Sequence, residues 1–243
     1  MPKPYYREAA EREYARAYGR GRKLLRYSDD PAPAVVEFAS SRYFRRVKRV
    51  ADFACGEGID ALYLAERGCK VVGFDIVSAA VRKASSLAYR AEQSVSWLVG
   101  DIVDCPLREN GFDLALAMSC FGRLLDDAHR ESFFRETFRV LKPGGFLLLG
   151  SGVLLEEVRL TFPEVFEELG QKRGGDLADW LHEEASGQYQ PPGQRFAMRK
   201  GYEMMLANTG YRIVHSHLEV SAHAWGIVLW ARKPGAGNSV VPK

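Results

Sequence analysis

The chain has 243 residues, of which 47% are hydrophobic, 27% charged and 12% aromatic, the make-up of one globular α/β unit with room for an insertion. This composition excludes a disordered or fibrous chain, and no apolar run reaches the roughly eighteen residues that a membrane-crossing helix needs. The net charge of +3 is unevenly spread: residues 1–49 carry 13 Lys and Arg against 6 Asp and Glu, whereas residues 151–200 carry 6 against 9.

The opening segment MPKPYYREAAERE lacks the apolar stretch of an export signal. Cys55, Cys69, Cys105 and Cys120 have no CxxC spacing and sit in or beside apolar segments, so a disulfide framework or zinc knuckle is not expected. Together these features predict a cytoplasmic protein that does not associate with membranes. Tyr6, Ala10, Tyr14 and Ala17 recur at helical spacing opposite Arg7, Arg12, Arg16 and Arg20. The basic N-terminal excess is therefore read as the solvated face of an amphipathic helix, in preference to a nucleic-acid-binding arm.

From Val47 onward, short apolar runs alternate with segments of helical period, the pattern of a parallel sheet covered by helices. Val50–Ala54 is expected as the first strand, Gly56–Arg67 as a helix closed by Gly68, and Cys69–Phe74 as the second strand. Ser78 is expected to cap a helix carrying Val77, Val81, Ala84, Ala88 and Ala91 on one stripe. Val95–Val99 makes strand three, and Phe112–Met118, apolar except for Asp113, makes a central strand four. A helix to Leu141, with Phe134 and Phe138 facing inward, then leads through a turn at 142–145 into strand five, Phe146–Gly150.

After Ser151 the alternation stops. Residues 152–200 contain a helical piece over 176–185, flanked by GlyGly at 174–175 and a GlnProProGly loop at 190–193, and are expected to form an inserted cap or lid. A helix over Gly201–Thr209, ended by Gly210, precedes strands Tyr211–Leu218 and Ala224–Arg232, an antiparallel pair at a sheet edge. Residues 233–239 read as a tail.

The most informative segment is Val50-Ala51-Asp52-Phe53-Ala54-Cys55-Gly56-Glu57-Gly58-Ile59-Asp60-Ala61, a strand, a small-residue turn and a helix start in succession. Gly56 and Gly58 let a ligand approach the backbone, and Asp75 at the end of strand two can accept hydrogen bonds from a ribose diol. Gly56-x-Gly58-x-x-Ala61 formally satisfies the dinucleotide fingerprint, which alone is weak. Glu57 and Asp60 in the first turn would repel a pyrophosphate, and Asp52 can hold an amino group. The balance moves to S-adenosylmethionine, a sulfonium cofactor.

These residues resemble the class I S-adenosylmethionine-dependent methyltransferases, nearest to their small-molecule branch. AspPheAlaCysGlyGluGly at 52–58 is similar to the family's first motif, with Ala54 in place of a glycine, a change expected only to tighten the turn. GlyAspIle at 100–102 resembles the segment whose acid meets the adenine amino group, and residues 112–119 and 140–149 resemble strand four and the helix-turn-strand after it.

The resemblance implies a Rossmann-like, doubly wound α/β fold with a mostly parallel seven-stranded sheet, an antiparallel edge strand and a helical insertion. Residues 47–243 would be the cofactor-binding methyltransferase domain. Residues 1–46 would be an N-terminal helical cap segment that, with 152–200, closes the acceptor side. The cofactor pocket implied is Asp52, Ala54, Cys55, Gly56, Gly58, Asp75, Ile76, Asp101, Ile102, Met118 and Ser119. The expected activity is methyl transfer to a small-molecule N, O or S acceptor, ahead of an RNA or protein acceptor or a non-catalytic cofactor-binding protein.

No catalytic residue is singled out. Tyr189, Tyr202 or a histidine could serve as a proton sink, and Arg123 could steer an anionic acceptor. Cys55 and Cys120 are read as packing residues rather than nucleophiles. No metal is expected: His215 and His217 share a strand face, but no acid or thiol stands at ligand spacing beside them. His129 is expected on an exposed helix face.

Overall fold

A computed structural model describes residues 5–19, 30–161, 195–220 and 225–235, together with positions 163, 164 and 167. The apolar runs become β1 (Arg49–Phe53), β2 (Lys70–Asp75), β3 (Val95–Val99), β4 (Phe112–Met118) and β5 (Leu141–Gly152), followed by β6 (Arg212–Val220) and β7 (Trp225–Arg232). They form one sheet in the order β3-β2-β1-β4-β5-β7-β6. The first five strands pair in parallel, and β7 runs antiparallel to both β5 and β6. The antiparallel pair lies at the edge as expected. The reversed strand itself, β7, is second from the edge, and β6 is outermost.

The described helices are α1 (Tyr5–Gly19), α2 (Pro33–Ser40), α3 (Ile59–Glu66), α4 (Ser78–Arg90), α5 (Asp127–Val140), α6 (Leu155–Thr161) and α7 (Arg199–Thr209). They bury two separate cores against the sheet. One joins Phe53, Phe74, Phe121, Phe133, Phe134 and Tyr202, and the other joins Phe38, Val50, Leu64, Leu114, Leu148 and Trp230. Burial on both faces explains why β4 reads as a nearly continuous apolar run rather than an alternating one.

Three local expectations change. The helix after β1 begins at Ile59 rather than Gly56, because Gly56 and Gly58 hold φ of 56° and 79° and are not helical. Ser78 is the first residue of α4 and does not cap it; Asp75 Oδ1 instead accepts from the Val77 N–H at 2.8 Å. Residues 142–145 form a bulge within β5, since Phe112 pairs with Leu141 and Leu114 with Phe146. Asp113 sits at that bulge and accepts from the Lys48 and Arg49 N–H groups at 3.0 and 2.9 Å and from Lys142 Nζ at 2.6 Å. These bonds explain an acid in an otherwise apolar strand.

The chain runs outward from β1 to β2 and β3 on one side, then returns to lay β4 and β5 on the other. The order therefore reverses between β1 and β4, which opens a crevice beyond the carboxyl ends of those two strands.

Candidate active site

A cavity of about 250 Å³ occupies that crevice. Its floor is the turn after β1, with Asp52, Ala54, Cys55, Gly56, Glu57 and Asp60. Asp75 and Ile76 come from the end of β2, Asp101 and Ile102 from beyond β3, and Met118, Ser119, Cys120, Arg123 and Leu124 from the end of β4. Helix α1 closes the remaining side with Tyr6, Ala10, Glu13 and Tyr14.

Ten of the eleven residues expected at the cofactor pocket are in this wall. Gly58 is not. It is the N-cap of α3, and a Cβ added to it would lie 2.3 Å from the Trp97 ring, so its missing side chain serves helix-to-sheet packing. Gly56 does face the cavity, and a Cβ there would stand 3.0 Å from the Tyr14 hydroxyl. Ala54 holds φ of 56°, a left-handed conformation that L side chains disfavour, so its substitution for glycine strains the turn rather than merely tightening it.

The carboxylates are placed by backbone donors. Asp75 is buried and accepts from the Gly56 N–H at 3.0 Å through one oxygen and from Val77 through the other. Burial raises its pKa, and the two backbone bonds only partly offset that. Each oxygen keeps a second lone pair for an incoming hydroxyl. Asp101 accepts from the Val103 N–H at 3.1 Å and from the Tyr6 hydroxyl at 2.8 Å. Burial and the neighbouring Asp101 push the Tyr6 hydroxyl up, so it remains a donor. Asp60 Oδ1 accepts from the Ala32 N–H at 2.7 Å, tying the segment before α2 to the first turn of α3.

Charge is the cavity's most distinctive property. Its described lining contains six carboxylates, those of Glu13, Asp52, Glu57, Asp60, Asp75 and Asp101, against one cation, Arg123. That cation is itself bound to Glu13 at 2.5 Å. Such a wall disfavours a pyrophosphate and suits a ligand carrying positive charge and several donors.

The surroundings of the two thiols in the wall disfavour the thiolate. Burial, reinforced by Asp52 and Asp75, pushes Cys120 up to about 12 and Cys55 well above its ordinary value, so both stay protonated at neutral pH. Tyr202, a candidate proton sink, is fully buried away from the cavity and donates to the Gly152 carbonyl at 2.6 Å. Tyr189, the helix over 176–185 and the turns at 174–175 and 190–193 lie outside the described residues. His129 is half-exposed, pairs with Asp126 and packs edge-on against Tyr6 at 5.3 Å.

Sequence reading missed how α1 reaches this wall. Tyr6, Ala10 and Tyr14 were legible as one face of a helix, but the signal that separates a cavity-lining helix from an ordinary packing helix was the choice of tyrosine. Two hydroxyl tips allow the face to meet a polar cleft, where leucine would not. Beside the cavity, the end of the insertion is pinned as well: Arg195 Nη1 donates to the Leu125 carbonyl at 2.9 Å and to Asp127 at 2.7 Å, and Phe196 packs over Gly122 and Gly152.

A search against protein-family models matches residues 50–145 to a methyltransferase domain. Ajmaline N-methyltransferase of Rauvolfia serpentina is 30% identical over 112 residues, which are 45% of this chain and 38% of that protein. The 27-O-demethylrifamycin SV methyltransferase of Amycolatopsis mediterranei is 30% identical over 141 residues, 53% of this chain and 50% of that protein. The chain thus spans half or less of the length of these relatives. Among solved structures, the 1,6-didemethyltoxoflavin-N1-methyltransferase of Burkholderia thailandensis, with S-adenosylhomocysteine bound, superposes with a TM-score of 0.67 at 18% identity, covering 96% of this chain and 92% of that one. The strand order, the acid-lined crevice at its reversal point and these matches agree: residues 50–145 are similar to a methyltransferase domain, and the fold is the one seen in solved S-adenosylmethionine-dependent methyltransferases.

Proposed function

We propose that the protein transfers a methyl group from S-adenosylmethionine to an N, O or S atom of a small-molecule acceptor. The observation that carries this reading is the cavity wall of six carboxylates against one paired arginine. The cofactor bears a sulfonium and an ammonium, and it supplies an activated methyl group. Asp52, at the buried end of β1, would hold the ammonium end. Asp75 would take the ribose hydroxyls, and Asp101 with Ile102 the adenine.

The chain's own contribution is alignment and exclusion of water. Orientation of two reactants supplies roughly 7–11 kcal/mol of such a barrier. Helix α1 closes the wall on one side, and Arg195 and Phe196 fasten the returning end of the insertion beside it. Among the described lining residues there is no histidine, and the thiols are held neutral, so no protein base is assigned to the reaction. Residues 1–46 and 152–200 would select the acceptor, with Arg123 and Glu13 at its margin. The printed names of the relatives, one an N- and one an O-methyltransferase of small molecules, support that acceptor class.

Calorimetry with S-adenosylhomocysteine and with NAD tests the reading directly. We expect saturable binding of the first and none of the second; NAD binding without S-adenosylhomocysteine binding would overturn it. A labelled-methyl assay over small-molecule and bulk RNA acceptors then decides the acceptor class, and turnover restricted to RNA with steep salt dependence would refute the small-molecule reading.

A further inference from the structure

Far from the cavity wall, the outer edge of the sheet brings together Glu37 of α2 with His215 and His217 of β6. Their ligand atoms all lie within 4.8 Å of one another. His215 Nε2 stands 3.1 Å from His217 Nδ1 and 3.4 Å from Glu37 Oε1, and His217 Nε2 stands 3.6 Å from Glu37 Oε2. Two ligands on a tetrahedral ion, each bonded at about 2.0–2.1 Å, stand roughly 3.3–3.4 Å apart. These contacts use different nitrogens of His217 and different oxygens of Glu37; with one atom taken from each side chain the three lie within 4.8 Å of one another, close enough for small side-chain rotations to close them around one ion. The sequence expectation that no acid accompanies these histidines is corrected here: Glu37 is remote in sequence and arrives only through the packing of α2.

The strand itself is shaped for the cluster. Ile213 and Leu218 both pack into the same core, although they are five positions apart and strict alternation would put them on opposite faces. The pairing explains it, because Ile213 faces Ala231 and His215 faces the next residue, Trp230, leaving Val214 as an extra residue. This bulge reverses the alternation and turns His215, His217 and Glu219 toward α2. His215 packs against Trp230 in a tilted contact with ring centroids 4.4 Å apart, and Trp230 packs edge-on against Phe38 of α2 at 5.1 Å, which orients the first imidazole.

We propose that Glu37, His215 and His217 form a binding site for a divalent ion of the zinc class, which ties α2 to the outermost strand. Two imidazoles and one carboxylate are borderline donors suited to zinc rather than to magnesium or calcium. Glu219, next on the same face, or a water completes the coordination. The ion would be structural, clamping an edge strand that among the described residues pairs with β7 alone.

The test is isothermal titration of the full chain with zinc chloride in a non-chelating buffer, repeated on His217→Ala and Glu37→Gln. We expect one ion per chain, with affinity lowered at least tenfold in each variant and S-adenosylhomocysteine affinity unchanged in both. Cobalt(II) bound to the wild-type chain provides a readout independent of any variant: tetrahedral ligand-field bands without thiolate charge transfer. The absence of stoichiometric binding, binding unaffected by both substitutions, or a thiolate-type cobalt spectrum from the four cysteines would each overturn the proposal.

Discussion

Two ends of the same sheet handle a carboxylate in opposite ways. At the amino end of β4, Asp113 has Lys142 at 2.6 Å and two backbone N–H donors, and these partners hold its pKa below the usual carboxylate range despite burial. At the carboxyl end of β2, Asp75 has two backbone donors, and burial wins, so its pKa is raised. The first carboxylate has its cation within the fold. The second is costlier to keep ionised, and a ligand that brings donors or positive charge relieves that cost. An acid satisfied by its own chain reads as structural, and an under-compensated one at a strand reversal is a candidate binding group.

The sharpest way to break this contrast is Asp75→Asn, which keeps an acceptor and the side-chain volume but removes the charge. We expect S-adenosylhomocysteine affinity to fall on the order of 100-fold, from two charge-assisted bonds weakened by roughly 1.5 kcal/mol each. Stability should change little or fall by about 1 kcal/mol: removing an ionised group with a raised folded pKa favours folding above that pKa, but the amide NH2 cannot accept, so one of the Gly56 and Val77 N–H donors loses its acceptor. Calorimetry and thermal unfolding read the two effects separately, and unchanged affinity would remove Asp75 from the binding site.

Asp113→Ala should do the reverse, lowering stability by about 2 kcal/mol while leaving cofactor affinity alone. The sign of its pH dependence follows from the lowered pKa. The stabilising contribution is present above the unfolded value and is lost as pH falls through the folded one, so wild type and variant should converge in denaturant midpoint in acid, below about pH 4. Divergence at low pH would contradict the ion pair with Lys142.

Tyr6→Phe probes the cavity-lining helix on the acidic side of the contrast. It keeps the ring against His129 but removes the 2.8 Å bond to Asp101. A loss of about 1 kcal/mol in α1 docking should speed hydrogen exchange of the α1 amides roughly fivefold, leaving the amides of α3 and α4 unchanged. Equal acceleration in all three helices would indicate global destabilisation instead.

The sheet was legible because its central strands are apolar on both sides and several of its turns are marked by glycine. Val95–Val99 and Phe112–Met118 match the expected strands residue for residue. The turn after β1 was legible for the same reason, as a cluster of small and acidic residues between a strand and a helix. What stayed hidden depends on tertiary placement. Glu37 reaches His215 across a gap in sequence of more than 170 residues, and the β6 bulge that turns the histidines toward it has no marker such as glycine or proline at Val214. Gly58 could not be told from Gly56 by sequence, since only packing shows that one meets a tryptophan and the other the cavity.

The smallest expected effect concerns Ala54, the one departure from the family's glycine pattern in the turn that forms the floor. Its φ of 56° places a methyl group in a left-handed conformation that costs an L residue about 1–2 kcal/mol. Ala54→Gly removes that strain but adds roughly 0.4–1 kcal/mol of backbone freedom in the unfolded chain. The net expectation is a stabilisation of about 0.5–1 kcal/mol, read as a higher denaturant midpoint at unchanged slope. Because Ala54 also lines the cavity, cofactor affinity gives a second reading of the same change. Greater stability with unchanged affinity means that the alanine methyl strains the loop without gripping the ligand. Greater stability with weaker affinity means that the strain is retained because that methyl packs against the cofactor, which would add Ala54 to the binding groups that set Asp75 apart from Asp113.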